Sequence, residues 1–212
     1  MTRSRLLRAI LVVNLAAAGC GGGAGGLAPA PADGCCRELV AVLEASILKI
    51  DVMRVRLRVD DATASALQAL VGNAPRSPAL EDRVSAIYLD SRSASVDTEF
   101  LMGMSGGMFL DNTTKAFRGM ASDSLLGGAE AETLSAEARS RFAFLTAAGV
   151  KPADRLRYEL SGDTVTTSYT RAGQMLMQDK QVGDRYRRAL LASYFAPSSD
   201  FRRGLLDDVF TP

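Results

Sequence analysis

No histidine occurs in the 212 residues, and only three cysteines do. The first absence removes the usual base for a serine or thiol nucleophile. No GxSxG elbow is present either, so triad-type hydrolysis with a histidine base is excluded. The cysteines stand at 20, 35 and 36 without CxxC spacing, which leaves no zinc site of the common Cys/His kinds. Neither a metal nor a cofactor is expected. Ser105-Gly106-Gly107-Met108 is glycine-rich but lacks the lysine and the full glycine spacing of a phosphate loop. Surplus positive charge is missing too: 25 Lys and Arg face 24 Asp and Glu. Arg3, Arg5 and Arg8 lie in the first eight residues, so without residues 1–19 the balance is 22 basic to 24 acidic, a formal −2. No basic block remains to hold phosphates, and nucleic acid is not an expected partner.

What the N-terminus does contain points to export. A basic start is followed by the short apolar run Ile10 to Ala18, broken by Asn14. That pattern describes a secretory signal, and the run is far below the ~20 residues a spanning helix needs. Its end, Leu15-Ala16-Ala17-Ala18-Gly19-Cys20, resembles the lipobox of bacterial lipoproteins. The resemblance implies cleavage before Cys20 and lipid on that cysteine; the plainer alternative is an ordinary cleaved signal with a chance cysteine. Gly21 to Gly26 and the Pro/Ala stretch up to Gly34 cannot bury a core and read as a flexible leash. The expected organisation is a signal at 1–19, a lipidated leash at 20–36 and one domain at 37–212. The expected place is the bacterial cell envelope, tethered by lipid, with Gly21 after the cysteine favouring an outer membrane and a domain facing the periplasm. Cys35 and Cys36 are adjacent and poorly placed to bridge each other. Two half-buried thiols, or an intermolecular or redox role, both remain open for them.

The mature part alternates between two periodicities. Leu39 to Val59 is apolar and β-branched; from Met53 it alternates strictly, with Met53, Val55, Leu57 and Val59 against Arg54, Arg56, Arg58 and Asp60. Leu48, Ile50 and Val52 hold the opposite phase, so one strand with a bulge between Val52 and Met53, or with a stretch covered on both faces, is expected. Asp60 or Asp61 caps a helix ended by Gly72, and Ser77-Pro78 starts another. A strand is expected over Ala94 to Met104, ended by Ser105-Gly106-Gly107, then a helix from Phe109 to Met120 and a helix from Ser135 to Ala148. Arg155–Leu160, Val165–Thr170 and Gln174–Gln178, joined by glycine turns, predict an antiparallel meander. A helix from Asp184 stopped by Pro197 and a helical tail over Phe201–Phe210 follow. The sum is an α+β domain with helices packed on one face of a mostly antiparallel sheet.

Four pieces in this order carry a likeness: Ile47 to Leu57, Glu99 to Phe117, Pro152 to Tyr158 with Gly162-Asp163-Thr164, and Asp184 to Leu191 leading to Phe201-Arg202-Arg203-Gly204-Leu205-Leu206. Together they cover most of 39–206 and resemble the chalcone isomerase-like superfamily. That resemblance implies an open-faced sandwich of a large antiparallel sheet and helices with a cleft between them. It also implies a choice among plant isomerases, fatty-acid-binding relatives and bacterial members of unknown activity. The plant enzymes line the cleft with a threonine, a tyrosine and an asparagine, which fall here on Asp51, Phe109 and Ala116. Ring closure needs donors aimed at a developing enolate, and Phe109 and Ala116 supply none. Fold alone does not carry the chemistry.

Asp51, an acid in an apolar strand, is the weak catalytic candidate, a pocket carboxylate with raised pKa; pairing with Lys49 or facing water is its structural alternative. Met104, Phe109, Ala116 and Phe117, with Lys49, Asp51 and Met108, are cleft candidates, or simply core. Arg54, Arg56 and Arg58 form a cationic row that reads as a solvated face balanced by acids. Tyr158 and Tyr169 are expected between sheet and helices with their hydroxyls near water. Three functions compete: a tethered non-catalytic module holding a small apolar or amphipathic ligand such as a fatty acid, an isomerase or intramolecular lyase with Asp51 as base, and an envelope scaffold for protein partners.

Overall fold

Strand pairing in this chain follows sequence order. The computed structural model describes residues 37–45, 50–72 and 74–210. The expected signal and leash, Cys20, Cys35, Cys36 and Lys49 lie outside the described residues. The described elements are β1 (Glu38–Ala45), β2 (Ile50–Val59), α1 (Asp61–Val71), α2 (Pro78–Asp90), β3 (Ser93–Phe100), α3 (Gly106–Ser122), α4 (Gly128–Arg141) and α5 (Leu145–Ala148). Then come β4 (Arg155–Ser161), β5 (Thr164–Arg171), β6 (Gln174–Val182), α6 (Asp184–Phe195) and α7 (Arg202–Val209). The six strands form one sheet in the order β1-β2-β3-β4-β5-β6, with antiparallel neighbours throughout.

Local chemistry sets the element ends. Asp60 caps α1, its Oδ1 accepting from the Thr63 N–H at 2.8 Å, and Ser77 caps α2 ahead of Pro78. The β5–β6 turn places Ala172 and Gly173 both at positive φ (49° and 80°), the backbone that matches strand twist in a two-residue hairpin. On β2, β3, β4 and β5 alternate residues are buried, and Val55, Leu57, Val96, Leu160 and Val165 face the helices. Each such side chain contributes about 1.5–3 kcal/mol by leaving water. One apolar cluster joins this face to α1, α2, α6 and α7, with Tyr88 stacked on Phe195 at 4.4 Å. A second gathers Phe100, Phe109, Phe142, Leu145 and Tyr169 under α3, α4 and α5. The opposite face is polar: Arg54 meets Glu99 at 3.2 Å and Arg58 meets Glu38 at 2.6 Å.

Four expectations are corrected. The apolar stretch from Leu39 to Val59 is a hairpin of two strands, since β1 turns back and Leu39 lies opposite Leu57. Between Ala45 and Ile50 the sequence carries no glycine, proline, asparagine or aspartate to mark a turn. The phase change nonetheless has the expected cause: Leu43 faces Met53 and Glu44 faces Asp51, so the register breaks at Val52. β3 ends at Phe100, and Met104 makes only an isolated bridge to Val150. Ser105 does not close a strand but caps α3, accepting from the Met108 N–H at 3.2 Å. Ser135 lies inside α4, where its hydroxyl donates to the Ala131 carbonyl at 2.7 Å, and the chain breaks after Arg141 before α5.

Candidate functional site

α3 is held close to its neighbours at both ends and stands off the sheet between them. A Cβ at Gly106 would overlap the Leu145 carbonyl, so the helix start can sit against α5 only because that residue is glycine. Near the other end, Gly119 lies against Ser198, beyond α6. Under the span is a cavity of about 520 Å³, within the range of small-ligand sites. Its floor is contributed by Leu43, Met53, Thr98, Phe100, Leu156, Tyr158, Val165 and Gln181, one or two residues from each strand from β1 to β6. Five strand spacings make that crossing about 24 Å long. The roof comes from α3, α4 and α6, including Phe109, Ala116, Phe117, Phe142 and Leu190.

Met104, Phe109, Ala116 and Phe117 thus share one wall. Phe109 is buried and meets Phe142 edge-on at 5.2 Å and Phe100 at 6.0 Å, which fixes its ring as wall rather than plug. Two other candidates are corrected. Asp51 is exposed near the start of β2 and is not part of the lining, so it does not open into the cavity as a pocket base would have to. Met108 is 55% exposed on the outer side of α3. The arginine row is a solvated face balanced by acids, and Arg56 faces Asp97 across the β2–β3 pair.

Apart from Tyr158, the polar groups that reach the cavity were not singled out from the sequence. Thr98, Tyr158 and Tyr194 line it together. Burial, and then the neighbouring Tyr194, push the Tyr158 phenol far up, while the Arg141 charge pulls the other way. Burial pushes the Tyr194 phenol up to about 12, opposed by the Thr98 hydroxyl beside it. Both phenols are neutral donors and acceptors at any ordinary pH. At the β6 end the lining includes Glu137 and Arg141 of α4, Gln181 of β6 and Tyr186 of α6. The same four residues border a more open hollow with Ser140, Met177 and Asp179, which makes this end a mouth.

Tyr169 departs from the expectation of a water-facing hydroxyl. It is fully buried and donates to Asp154 Oδ2 at 2.6 Å. Arg171 Nε and Nη2 reach the same carboxylate at 2.9 and 2.7 Å, and the Lys151 N–H donates to it at 2.8 Å. Burial alone would push the Asp154 carboxyl up; the hydrogen bonds from Arg171, Tyr169 and Lys151 outweigh it and hold the carboxyl below its ordinary value. The group fastens the 149–154 loop, which pairs with Phe100 and Met104, and so fixes the cavity wall.

Among the described residues no group of His, Cys, Asp or Glu is placed to hold a metal ion, and no helix is long and apolar enough to cross a membrane. No protein-family model matches the chain, and no curated protein matches its sequence. Solved structures do match. The crystal structure of a fatty-acid binding protein of Arabidopsis thaliana is similar with a TM-score of 0.58 at 14% identity. The match covers 81% of this chain and 84% of that one. The fold of this chain is the chalcone isomerase-like α+β sheet-and-helix fold.

Proposed function

We propose that the chain is a membrane-tethered, non-catalytic module whose cavity holds a small apolar or amphipathic ligand with one long chain. The observation that carries this reading is the cavity of about 520 Å³ running across the sheet, walled by Phe109, Phe117, Phe142 and Leu190 and floored by Leu43, Met53 and Leu156. With single bonds of about 1.5 Å, a zigzag hydrocarbon of roughly fifteen to twenty carbons matches the ~24 Å crossing. Water in such a space would find few polar partners, so an apolar chain gains by replacing it. The fatty acid named for the Arabidopsis protein is one ligand of this shape.

Asp51, the base on which the isomerase reading rested, is exposed and outside the lining, and the Tyr158 and Tyr194 phenols inside stay neutral, which supports the non-catalytic reading. The tether belongs to the same proposal. Lipid on Cys20 and the Gly/Pro/Ala leash to residue 36 would place the domain on the periplasmic side of an outer membrane, where a carrier of lipid-like molecules has its supply.

The test is uptake of N-phenyl-1-naphthylamine, a neutral dye that brightens in apolar surroundings, by the full-length protein. Saturable one-to-one uptake that a long-chain amphiphile displaces is expected. Dye that stays dark at all protein concentrations contradicts the proposal.

A further inference from the structure

We infer that the polar end of the ligand is an uncharged group bearing both a donor and an acceptor, a hydroxyl or a primary amide, seated at the α4–β6 mouth. An ionised carboxylate is disfavoured there. The inference rests on the proposed ligand-holding role and adds the ligand's charge class and orientation.

The mouth carries four charges that are already matched. Arg141, 14% exposed, donates through Nε to Asp179 Oδ2 at 2.7 Å. Glu137 accepts through Oε1 from Arg185 Nη2 at 3.3 Å. Two hydrogen-bonding capacities are left over. The Arg141 Nη groups donate to no protein acceptor among the described residues, and Glu137 Oε2 is buried without a partner. The Gln181 amide lies beside them. A spare donor and a spare acceptor at the rim of one hollow are satisfied together by a group that both accepts and donates, and an unmade hydrogen bond at a buried atom is costly.

A carboxylate would fare worse at the same place. It could take the Arg141 Nη donors, but it would bring a third negative charge beside Asp179 and Glu137 with no added cation. The other cations of the lining, Lys115 and Arg118, are exposed on α3, and Arg118 Nε already donates to Glu132. Deeper in, Thr98, Tyr158 and Tyr194 offer neutral hydroxyls only. A buried charge without a counter-charge binds poorly or takes up a proton first.

The experiment displaces N-phenyl-1-naphthylamine from the full-length protein at about pH 8 with dodecanol, dodecanamide and dodecanoate. Dodecanol and dodecanamide are expected to act at concentrations at least about tenfold below dodecanoate. Asp179→Asn unmatches Arg141 and should shift the dodecanoate-to-dodecanol affinity ratio toward dodecanoate at least about tenfold. Should that variant not fold, Glu137→Gln, which removes the other negative charge, should shift the same ratio in the same direction. Tighter binding of dodecanoate than of dodecanol by the unaltered protein overturns the inference, as does an acid-to-alcohol ratio unmoved in the folded variants. Either result leaves the ligand-holding role standing, because the dye still binds. Failure of the dye to bind at all removes that role and this inference with it.

Discussion

Replacing Asp154 by asparagine should destabilise the protein by about 3 kcal/mol at neutral pH, the scale for breaking a buried ion pair while leaving its partner in place. Asp154 is 1% exposed and Arg171 26% exposed, so water relieves only part of the loss. Asparagine keeps one acceptor oxygen and turns an amide toward donors from Lys151, Tyr169 and Arg171 that now oppose it. For a domain of this size the loss corresponds to a fall in Tm of about 6–12 °C by circular dichroism. The pH dependence isolates the charge. The folded carboxyl lies below its unfolded value of about 3.9, so its contribution is complete above that value and is lost as pH falls through the lower, folded one. The gap between the unaltered protein and the variant should therefore be flat from about pH 8 to 5 and close below about pH 4. A variant that melts within about 2 °C of the parent, or a gap as wide at pH 3 as at pH 7, refutes the assignment of the Asp154 cluster as a charged fastening.

Other consequences follow from the same structure. Ala116→Trp puts an indole into the cavity and should abolish dye uptake while moving Tm by no more than about 3 °C, since it fills space rather than displacing neighbours. Arg187, 3% exposed, donates to the Leu89 and Ser91 carbonyls at 2.8 and 2.7 Å beyond its pair with Asp184. Arg187→Met should lower stability in urea by about 3 kcal/mol through those orphaned carbonyls, with an unchanged m-value. Cys20→Ser should leave the signal uncut or release the protein from the bacterial membrane fraction; normal processing with undiminished membrane association contradicts the tether.

Much of the fold was legible because its signals are local. Asp60 and Ser77 mark helix starts by hydrogen bonding, and Pro78 by its fixed φ, none of which needs tertiary context; the two glycine turns of the β4–β5–β6 meander fix strand register. The Val52–Met53 phase change was visible for the same reason. The hairpin before it was not, because no glycine, proline, asparagine or aspartate between Ala45 and Ile50 separates one apolar strand from the next. Ser135 misled because a helix-interior serine that bonds back to its own helix has the same sequence signature as a cap. At the site, the apolar wall of Phe109, Ala116 and Phe117 could be read from helical spacing. Arg141 and Tyr194 could not: each looks like an ordinary member of a helix, and only the meeting of α4, α6 and the sheet turns them toward one space.

The central claim is that the cavity is filled by a lipid-like molecule in the cell. Native mass spectrometry of the full-length protein extracted from a bacterial envelope addresses it directly. The account predicts one bound amphiphile of roughly fifteen to twenty carbons per chain, lost in Ala116→Trp. A protein that is empty in every preparation, and equally empty after incubation with long-chain alcohols, acids and amides, contradicts it.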